Sequence, residues 1–342
     1  MVENFSKKIG ELARIIGGGK VFCIVAHTSP DGDAVGSCVG MREYLKAMGK
    51  DARIVLPDRF PDFLGYLDPG GEILLYDADR EAGDAAVLSS DVVICMDCNS
   101  FSRTDHMEGV LKKAAARKIL IDHHIAPDTA SFNLIFSGNH VSSTCELAYY
   151  ILKALCADGF PGLPAMTAEA LFTGMTTDTN NFANSTYPST LAMASELLAA
   201  GVDRSALLNR LYNQFSEGRL RLIGELLHDG MKIVDGKFSY MLLPKGLQRM
   251  YGYSKGDVEG VVNRPLEIRD VLVSALFTED DDFVRVSLRS KPWVDVNLLA
   301  REYFNGGGHM NASGGRLKMD IADVPEYFEN AIRRYAMQAH LL

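Results

Sequence analysis

Short apolar runs that end in a histidine or an aspartate are the main hydrophobic pattern in the first half of the chain. Runs of this length are typical of buried strands. Three of them end in side chains that can bind metals: residues 21–26 in His27, residues 92–96 in Asp97, and residues 118–121 in Asp122, His123 and His124. Ligands of open α/β sheets bind outside the carboxyl ends of the strands, so this pattern predicts a polar site at one sheet edge.

Helical periodicity separates these runs. Candidate helices cover residues 4–16, 34–48 and 107–116, and further candidate strands cover 53–56 and 73–76. Strands that alternate with helices need right-handed crossovers, which predicts an α/β fold with a mainly parallel sheet. Four more candidate helices follow at residues 142–157, 166–176, 189–200 and 203–228. Ser142, Ser143 and Thr144, with Glu146, give the first of these four a capping-box start.

After residue 230 the pattern changes to short strands with few helices between them. The candidate strands are 231–234, 238–243, 271–277, 283–288 and 316–319, and the candidate helices are 294–304 and 323–338. A chain of 342 residues is also long for a single core. We therefore predict a first domain over residues 1–200, a helical connection over 201–228, and a smaller α+β domain over 229–342.

Composition narrows the class of protein. The net charge of −9 argues against a broad basic surface for long nucleic acid, although a local cluster could still hold a phosphate. No targeting signal is evident, and no apolar run approaches the ~20 residues of a membrane span. The six cysteines form no secreted framework, and Cys95 of the Cys95-x-x-Cys98 pair belongs to a strand interior. These features predict a reducing compartment, the cytoplasm.

Six of the polar residues form a candidate metal site with mixed nitrogen and oxygen donors: His27, Asp31, Asp33, Asp97, His123 and Asp178. Such a set suits two divalent cations of the manganese or magnesium type. Two metals about 4 Å apart can activate water and hold a phosphoryl group, and Asp97 is placed to bridge them. The structural alternative is that Asp33 caps the following helix and Asp178 forms an Asx-turn.

Three motifs in this order resemble the DHH phosphoesterase superfamily. They are Asp122-His-His124, His27-x-x-x-Asp31-x-Asp33, and the glycine-rich Gly306-Gly-Gly-His309 of the DHH-associated domain. Together they span nearly the whole chain. The most similar type is the two-domain oligoribonuclease and pAp-phosphatase group, often described as exopolyphosphatase-related. The resemblance implies a sheet with helices on both faces, followed by the smaller domain.

The resemblance also implies a role for each residue. His27, Asp31 and Asp97 would hold one Mn²⁺, and Asp33, Asp97, His123 and Asp178 would hold a second, with Mg²⁺ or Co²⁺ as alternatives. The catalytic set would be His124 facing the substrate phosphate, Asp122 orienting an imidazole, and Arg103 contacting phosphate. The substrate-binding set would be Arg289, Ser290, Gly306, Gly307, Gly308 and His309. Solvent-exposed positions remain the structural alternative for Arg103 and Arg289, and a plain helix end for the glycines.

Two positions depart from the family pattern. Ser29 stands where the family usually has asparagine, and Ser313 stands where it usually has alanine. Neither position is a proposed metal ligand. The second departure is expected to affect how the far end of the substrate packs.

We therefore predict a manganese-dependent phosphoesterase whose two domains close on a short oligoribonucleotide or on pAp. A metal-activated hydroxide would attack phosphorus, and 5′-mononucleotides or AMP would leave. The alternatives are an exopolyphosphatase or pyrophosphatase, a linear or cyclic dinucleotide phosphodiesterase, and a nucleotide-binding sensor without catalysis. Neither long duplex nucleic acid nor a membrane is an expected partner, and a homodimer remains open.

Overall fold

A computed structural model of the chain describes residues 6–138, 140–157, 159 and 162–341. The chain divides into two compact units, Met1–Gln214 and Phe215–Leu342. The boundary falls inside the 201–228 segment. Among the described residues, every helix is too short or too polar to pass through a bilayer.

The first unit is built on a parallel sheet in the order β3-β2-β1-β4-β5-β6, which confirms the predicted fold class. Its strands are β1 Val21–Val25, β2 Asp51–Leu56, β3 Leu74–Leu75, β4 Val92–Met96, β5 Arg117–Asp122 and β6 Leu134–Ser137. Its helices are α1 Ser6–Gly18, α2 Gly32–Ala47, α3 Arg80–Leu88, α4 Glu108–Lys113, α5 Thr144–Ala157, α6 Ala165–Asp178, α7 Pro188–Ala199 and α8 Arg204–Tyr212. Short 3₁₀ segments cover Asp62–Leu67 and Phe101–Met107.

Helices cover both faces of this sheet. In β4, Val93 and Cys95 belong to a core shared with α3 and α4, whereas Ile94 and Met96 belong to a core shared with α2, α5 and α6. Both faces are therefore apolar, and the strand is fully buried. This explains why β4 has no alternation of polar and apolar residues, as expected for a parallel sheet between two helical layers.

Glycines on one face of α2 allow it to approach α6 closely. A Cβ atom at Gly36 would lie 2.5 Å from the carbonyl oxygen of Ala170. A Cβ atom at Gly32 would lie 2.3 Å from Oγ1 of Thr177. Because residues four apart share a helix face, these glycines form a contact stripe along α2. The stripe brings the start of α2 beside the end of α6.

The second unit has a mixed sheet in the order β11-β12-β10-β9-β8-β7, in which only the β8–β9 pair is parallel among the described strands. Its strands are β7 Lys232–Val234, β8 Phe238–Leu243, β9 Val273–Glu279, β10 Val284–Ser290, β11 Gly307–Gly308 and β12 Ala312–Leu317. Its helices are α9 Glu217–His228, α10 Lys245–Tyr251, α11 Val296–Tyr303 and α12 Val324–Gln338, with a 3₁₀ segment at Val261–Glu267. This smaller α+β unit agrees with the prediction.

Some elements differ from the sequence prediction. The helix predicted over 203–228 is two helices, because α8 ends at Tyr212 and Ser216 caps α9 by accepting a hydrogen bond from Arg219 N. The last strand, predicted near 316–319, is Ala312–Leu317, since the Ser-Gly-Gly segment pairs with β10. The pattern also missed β6, β11, α3 and α10.

The close approach of α2 and α6 predicts opposite effects for two glycine-to-alanine substitutions. Gly36→Ala should lower the free energy of unfolding by about 1–3 kcal/mol, because the new methyl group meets backbone atoms. Gly10→Ala in α1, where a Cβ meets no atom within 4 Å, is the matched control and should raise it by up to about 1 kcal/mol. Urea denaturation measures both, and a neutral Gly36→Ala variant would contradict the packing argument.

Candidate metal centre and phosphate-binding residues

The polar strand ends meet at one edge of the first sheet. β1, β4 and β5 are neighbours in the sheet, and they are followed or ended by His27, Asp97 and Asp122, respectively. The structure brings the potential ligands into three groups, each with ligand atoms within 4.8 Å of one another. The groups are His27, Asp31 and Asp97; Asp33, His123 and Asp178; and Asp97, His123 and His124.

Asp97 lies between these groups. Its Oδ2 is 3.3 Å from Nε2 of His27, and its Oδ1 is 3.6 Å from Nε2 of His123. The two carboxylate oxygens therefore face two different ligand sets, as a bridging ligand requires. Asp97 also has a φ of 53°. Aspartate and asparagine tolerate this left-handed conformation better than most other residues.

The ring of His27 is oriented by the backbone. Its Nδ1 lies 2.7 Å from the carbonyl oxygen of Thr28, and since a carbonyl only accepts, Nδ1 must donate. In the neutral ring this leaves Nε2 unprotonated on the side of Asp97, which is the form that binds a metal. His123 lies among three carboxylates, with its Nε2 3.8 Å from both Asp33 and Asp178.

The start of α2 is capped by a different residue from the one considered in the sequence analysis, which was Asp33. Asp31, not Asp33, caps the helix: its Oδ1 accepts hydrogen bonds from Asp33 N at 3.0 Å and Ala34 N at 3.1 Å. The expectation that Asp33 is the cap is wrong, because the helix begins at Gly32. Capping through Oδ1 leaves the other oxygen of Asp31 for the His27 group.

The amino end of α5 holds Asp33. Its Oδ2 accepts from Thr144 N at 2.7 Å, and its Oδ1 accepts from Cys145 N at 2.9 Å. Both amides lie at a helix N-terminus, where negative charge is stabilised. The sequence predicted the start of this helix but assigned it no part in the site. The Ser-Ser-Thr-x-Glu pattern was the available signal.

Burial and mutual repulsion give the carboxylates unusual pKa values. Burial, followed by the charge of Asp97, raises the pKa of Asp33 to about 7, and burial with the charge of Asp33 raises that of Asp178 well above its ordinary value. Burial also acts to raise the pKa of Asp97, but the hydrogen bond from His27 and the nearby imidazoles hold it well below the usual range.

The imidazoles are shifted in the opposite sense to that expected from burial alone. Burial acts to lower the pKa of His27 and His123, but the surrounding carboxylates outweigh it and raise both to about 9. Among the described residues, no lysine or arginine forms an ion pair with Asp33, Asp97 or Asp178. Carboxylates and imidazoles grouped without a lysine or arginine ion pair are donors of the kind that fit divalent cations. Which residues bind metal stays a prediction.

Asp122 is fully buried and holds His124. Its Oδ1 lies 2.7 Å from Nδ1 of His124, and its Oδ2 accepts from His124 N at 3.2 Å. The same Nδ1 is 3.4 Å from Asp97. The shorter contact favours the predicted orienting role of Asp122 over a role for His124 Nδ1 as a metal ligand.

Arg103 lies beside the first ligand group. Its carbonyl oxygen accepts a hydrogen bond from Thr28 N at 2.8 Å, which ties the loop after β4 to the loop that carries His27. Its positive charge acts to lower the pKa of His27. A half-buried guanidinium at this position is compatible with the predicted phosphate contact.

In the second unit, Arg289 and the glycine-rich loop lie on either side of β12. Arg289 pairs with Ala312 across the β10–β12 ladder, and Ala312 O accepts from His309 N at 2.8 Å. Among the described residues Arg289 forms no ion pair, and its Nη1 donates to Leu288 O at 2.9 Å. Burial lowers the pKa of Arg289 from its ordinary value, although Glu259 acts against this shift.

The glycines of this loop are required by its geometry. A Cβ at Gly306 would lie 1.8 Å from the carbonyl oxygen of Gly314. Gly308 has a φ of 149°, and its Cβ would lie 2.6 Å from Ala312 O. Asn297 also fixes this loop, because its Oδ1 accepts from Gly308 N at 3.0 Å. A side chain at either glycine would therefore displace the loop.

The hydroxyl of Ser290 forms hydrogen bonds within the second unit. Its Oγ donates to Val294 O at 2.6 Å and accepts from Asn311 Nδ2 at 3.0 Å, while its amide donates to Asn311 O. Both donors are thus engaged in shaping the loop before α11. Contact between Ser290 and substrate stays a prediction.

Both departures from the family pattern have structural consequences. Ser29 has a φ of 53°, a conformation that asparagine adopts more readily than serine. Ser313 adds a hydrogen bond that alanine cannot make, because its Oγ donates to His309 O at 2.8 Å. The second departure therefore stiffens the glycine-rich loop.

Comparisons with known proteins match segments of both units. The model of the DHH family, N-terminal domain, matches residues 21–175, and the DHHA1 domain model matches residues 241–337. The bifunctional oligoribonuclease and PAP phosphatase NrnA of Thermus thermophilus is 32% identical, over 93% of this chain and 91% of that protein. The Bacillus subtilis protein of the same name is 28% identical, over 92% and 95%. An exopolyphosphatase-related protein from Bacteroides fragilis has a crystal structure with a TM-score of 0.90 and 36% identity over 97% of both chains.

If Asp97 bridges two metals, Asp97→Asn should bind Mn²⁺ more weakly and lower kcat by about a thousandfold, a loss of several kcal/mol. The fold should survive, because asparagine also tolerates the left-handed backbone. Asp105→Asn is the matched control, since Asp105 is exposed and has a φ of 50°. Calorimetric metal titration and single-substrate kinetics measure both effects. Near-normal activity of Asp97→Asn would refute the bridging role.

The raised histidine pKa values predict that metal binding releases protons. At pH 7 the metal-free site holds protons on His27 and His123, whose pKa values are about 9, and in part on Asp33. These protons must leave before the groups bind a cation, so Mn²⁺ affinity should rise from pH 6 to pH 9. Calorimetry in two buffers of different ionisation enthalpy counts the released protons. An affinity that does not change with pH would contradict the protonated metal-free site.

Proposed function

The chain belongs to the DHH family and is a hydrolase of phosphoester bonds, and we propose that its substrates are short oligoribonucleotides and pAp. The products would be 5′-mononucleotides and AMP. The observation that carries this proposal is the position of Asp97, whose two oxygens face different ligand groups. Two relatives that align with more than nine-tenths of the chain are named for both activities.

We assign two Mn²⁺ ions to this centre. His27, Asp31 and Asp97 would hold one, and Asp33, Asp97, His123 and Asp178 would hold the other. Support comes from two of the three ligand groups, one with His27 and Asp31 and one with Asp33 and Asp178; the third group joins Asp97 to His123. The donors are oxygen and imidazole nitrogen without thiolate, which suits Mn²⁺ or Mg²⁺. Two such cations supply Lewis acidity and an activated water for phosphoryl transfer.

The chain's own catalytic groups would bind and orient the scissile phosphate. His124 is assigned to a phosphoryl oxygen, because the contact of its Nδ1 with Asp122 fixes the orientation of the ring beside the ligand groups. A ring held in this way loses little orientational freedom when substrate binds. Arg103 would add a positive charge that becomes more favourable as negative charge develops on the phosphate.

The second unit would contribute phosphate-binding residues. Arg289 is suited to a phosphate because its guanidinium is partly buried and unpaired with any described carboxylate. The amides of Gly306–Gly308 and the imidazole of His309 would add donors, as glycine-rich loops do at other phosphate sites. The hydrogen bond from Ser313 to His309 O supports a preformed loop.

An exopolyphosphatase is the second candidate, because the 36% identical relative is described as exopolyphosphatase-related. Binding of polyphosphate would need several lysine or arginine side chains in a row. Binding of a nucleotide needs one phosphate contact and space for a base. Phosphate release from pAp, di- to pentanucleotides and polyphosphate, with and without Mn²⁺, distinguishes the two. A nucleotide-binding sensor would give no turnover with any of them. The six cysteines all lie in the described part of the chain and none forms a disulfide, which supports a proposed location in the reducing cytoplasm.

Arg289 is expected to contribute to substrate binding and not to the chemical step. Arg289→Ala should raise KM for pAp about 10- to 100-fold, the value of a charged hydrogen bond of about 1.5–3 kcal/mol. Hydrolysis of bis-p-nitrophenyl phosphate, which lacks a distal phosphate, should be unaffected. Arg249→Ala removes an exposed charge from the same unit and serves as the control. Equal losses on both substrates would instead place Arg289 in the reaction centre.

Activity should fall steeply as the RNA substrate becomes longer. Non-specific affinity for long RNA rests on many neutralised phosphates, and a chain with a net charge of −9 offers few of them. Nucleotides beyond those that contact the metal ligands and the Arg289 region should therefore add little binding energy. The measurement is kcat/KM on 5′-labelled RNAs of two, three, five, ten and twenty-four nucleotides at fixed salt and Mn²⁺. A flat or rising profile would refute the preference for short RNA.

A further inference from the structure

The first residue of α5 contacts three of the proposed metal ligands at once. The Thr144 amide donates to Oδ2 of Asp33 at 2.7 Å, and the Thr144 hydroxyl donates to Oδ1 of Asp97 at 2.9 Å. The same hydroxyl oxygen accepts from the backbone N of His123 at 3.3 Å. We propose that Thr144 is a positioning residue whose hydroxyl fixes the bridging carboxylate relative to the other ligands. This role rests on the proposed two-metal site.

The hydroxyl of Thr144 can donate one hydrogen bond, and Oδ1 of Asp97 accepts it. Thr144 is fully buried, so bulk water does not compete for this hydrogen bond. The bond fixes the rotation of the Asp97 carboxylate, and that rotation decides which oxygen faces His27 and which faces His123. A carboxylate free to rotate would present its oxygens to the two ligand groups only part of the time.

Asp33 is held by the same turn of helix in a different way. Both of its oxygens accept backbone amides, from Thr144 and Cys145. These amides remain whatever side chain occupies position 144. The hydroxyl can therefore be removed without releasing Asp33, so its contribution through Asp97 can be measured separately.

Other buried contacts fix the start of α5 independently of the Thr144 hydroxyl. Oε2 of Glu146 accepts from Ser142 N at 2.9 Å, from Ser142 Oγ at 2.6 Å, and from Thr190 Oγ1 of α7 at 2.6 Å. Ser143 Oγ accepts from Glu146 N at 3.0 Å. Because this network does not involve the Thr144 side chain, the helix should keep its start when the hydroxyl is removed.

The test compares Thr144→Val, Thr144→Ala and Thr144→Ser in the full chain. Valine keeps the branched shape and both amides but replaces the hydroxyl with a methyl group, and alanine keeps both amides but removes the hydroxyl and the methyl group. Both should weaken Mn²⁺ binding by about 10- to 100-fold, the range for groups that orient metal ligands. Thr144→Ser keeps the hydroxyl and should restore affinity to within about threefold of wild type, on the same basis. Calorimetry with Mn²⁺ alone gives these affinities without any substrate.

Kinetics provide a second readout. At saturating Mn²⁺, Thr144→Val should lower kcat for pAp and leave KM nearly unchanged, because Thr144 contacts the proposed metal ligands and not the substrate.

Thr167→Val is the matched control. Thr167 is equally buried, and its hydroxyl donates to Gly40 O at 3.0 Å, but it lies eleven residues before Asp178 on α6, about 16 Å along the axis. This variant should lose stability but keep wild-type Mn²⁺ affinity.

Wild-type Mn²⁺ affinity in Thr144→Val or Thr144→Ala would overturn the proposal. So would a Thr144→Ser variant as weak as Thr144→Val, because the hydroxyl would then not be the cause. A wild-type chain that binds Mn²⁺ but cleaves neither pAp nor short RNA would refute the proposed substrates alone. In that case the serine–valine difference in Mn²⁺ affinity would still decide the role of Thr144.

Discussion

The removal of carboxylates from water at the ends of parallel strands is the constraint on which the rest of the first unit depends. Asp33 and Asp97 are only 1% and 2% exposed, and burying an ion costs several kcal/mol unless partners replace the water. The structure supplies helix amides, a threonine hydroxyl and imidazoles, but no ion pair with lysine or arginine among the described residues. These carboxylates and imidazoles, which have no such counter-ion, are the basis of the proposed cation site.

The packing of the first unit serves this constraint. Glycines on α2 let its start lie against the end of α6. This contact places Asp31 and Asp33, at the start of α2, near Asp178, the last residue of α6. The order of the sheet places β1, β4 and β5 side by side, so their polar ends form one edge. Asp97 adopts a left-handed backbone there. Local backbone strain of this kind persists only when the surrounding structure enforces it.

Much of this could be predicted from the sequence, because strand ends and ligand chemistry are encoded by side chains. The alternation of strands and helices predicted the parallel sheet, and the runs into His27, Asp97 and Asp122 predicted the edge that carries the candidate site. The amides of Thr144 and Cys145 could not be predicted, because every residue has a backbone N–H and only the fold decides where it points. The cap at Asp31 was missed for a similar reason, since two aspartates flank Gly32 and their geometry decides between them.

The most direct test of the central claim is a crystal structure of the chain with Mn²⁺, with anomalous data collected at the manganese edge. The account predicts two anomalous peaks about 3.5–4 Å apart, with one oxygen of Asp97 contacting each. His27 and Asp31 should lie at the first peak, and His123 and Asp178 at the second. A single peak, or two peaks of which only one contacts Asp97, would contradict the bridged two-metal centre.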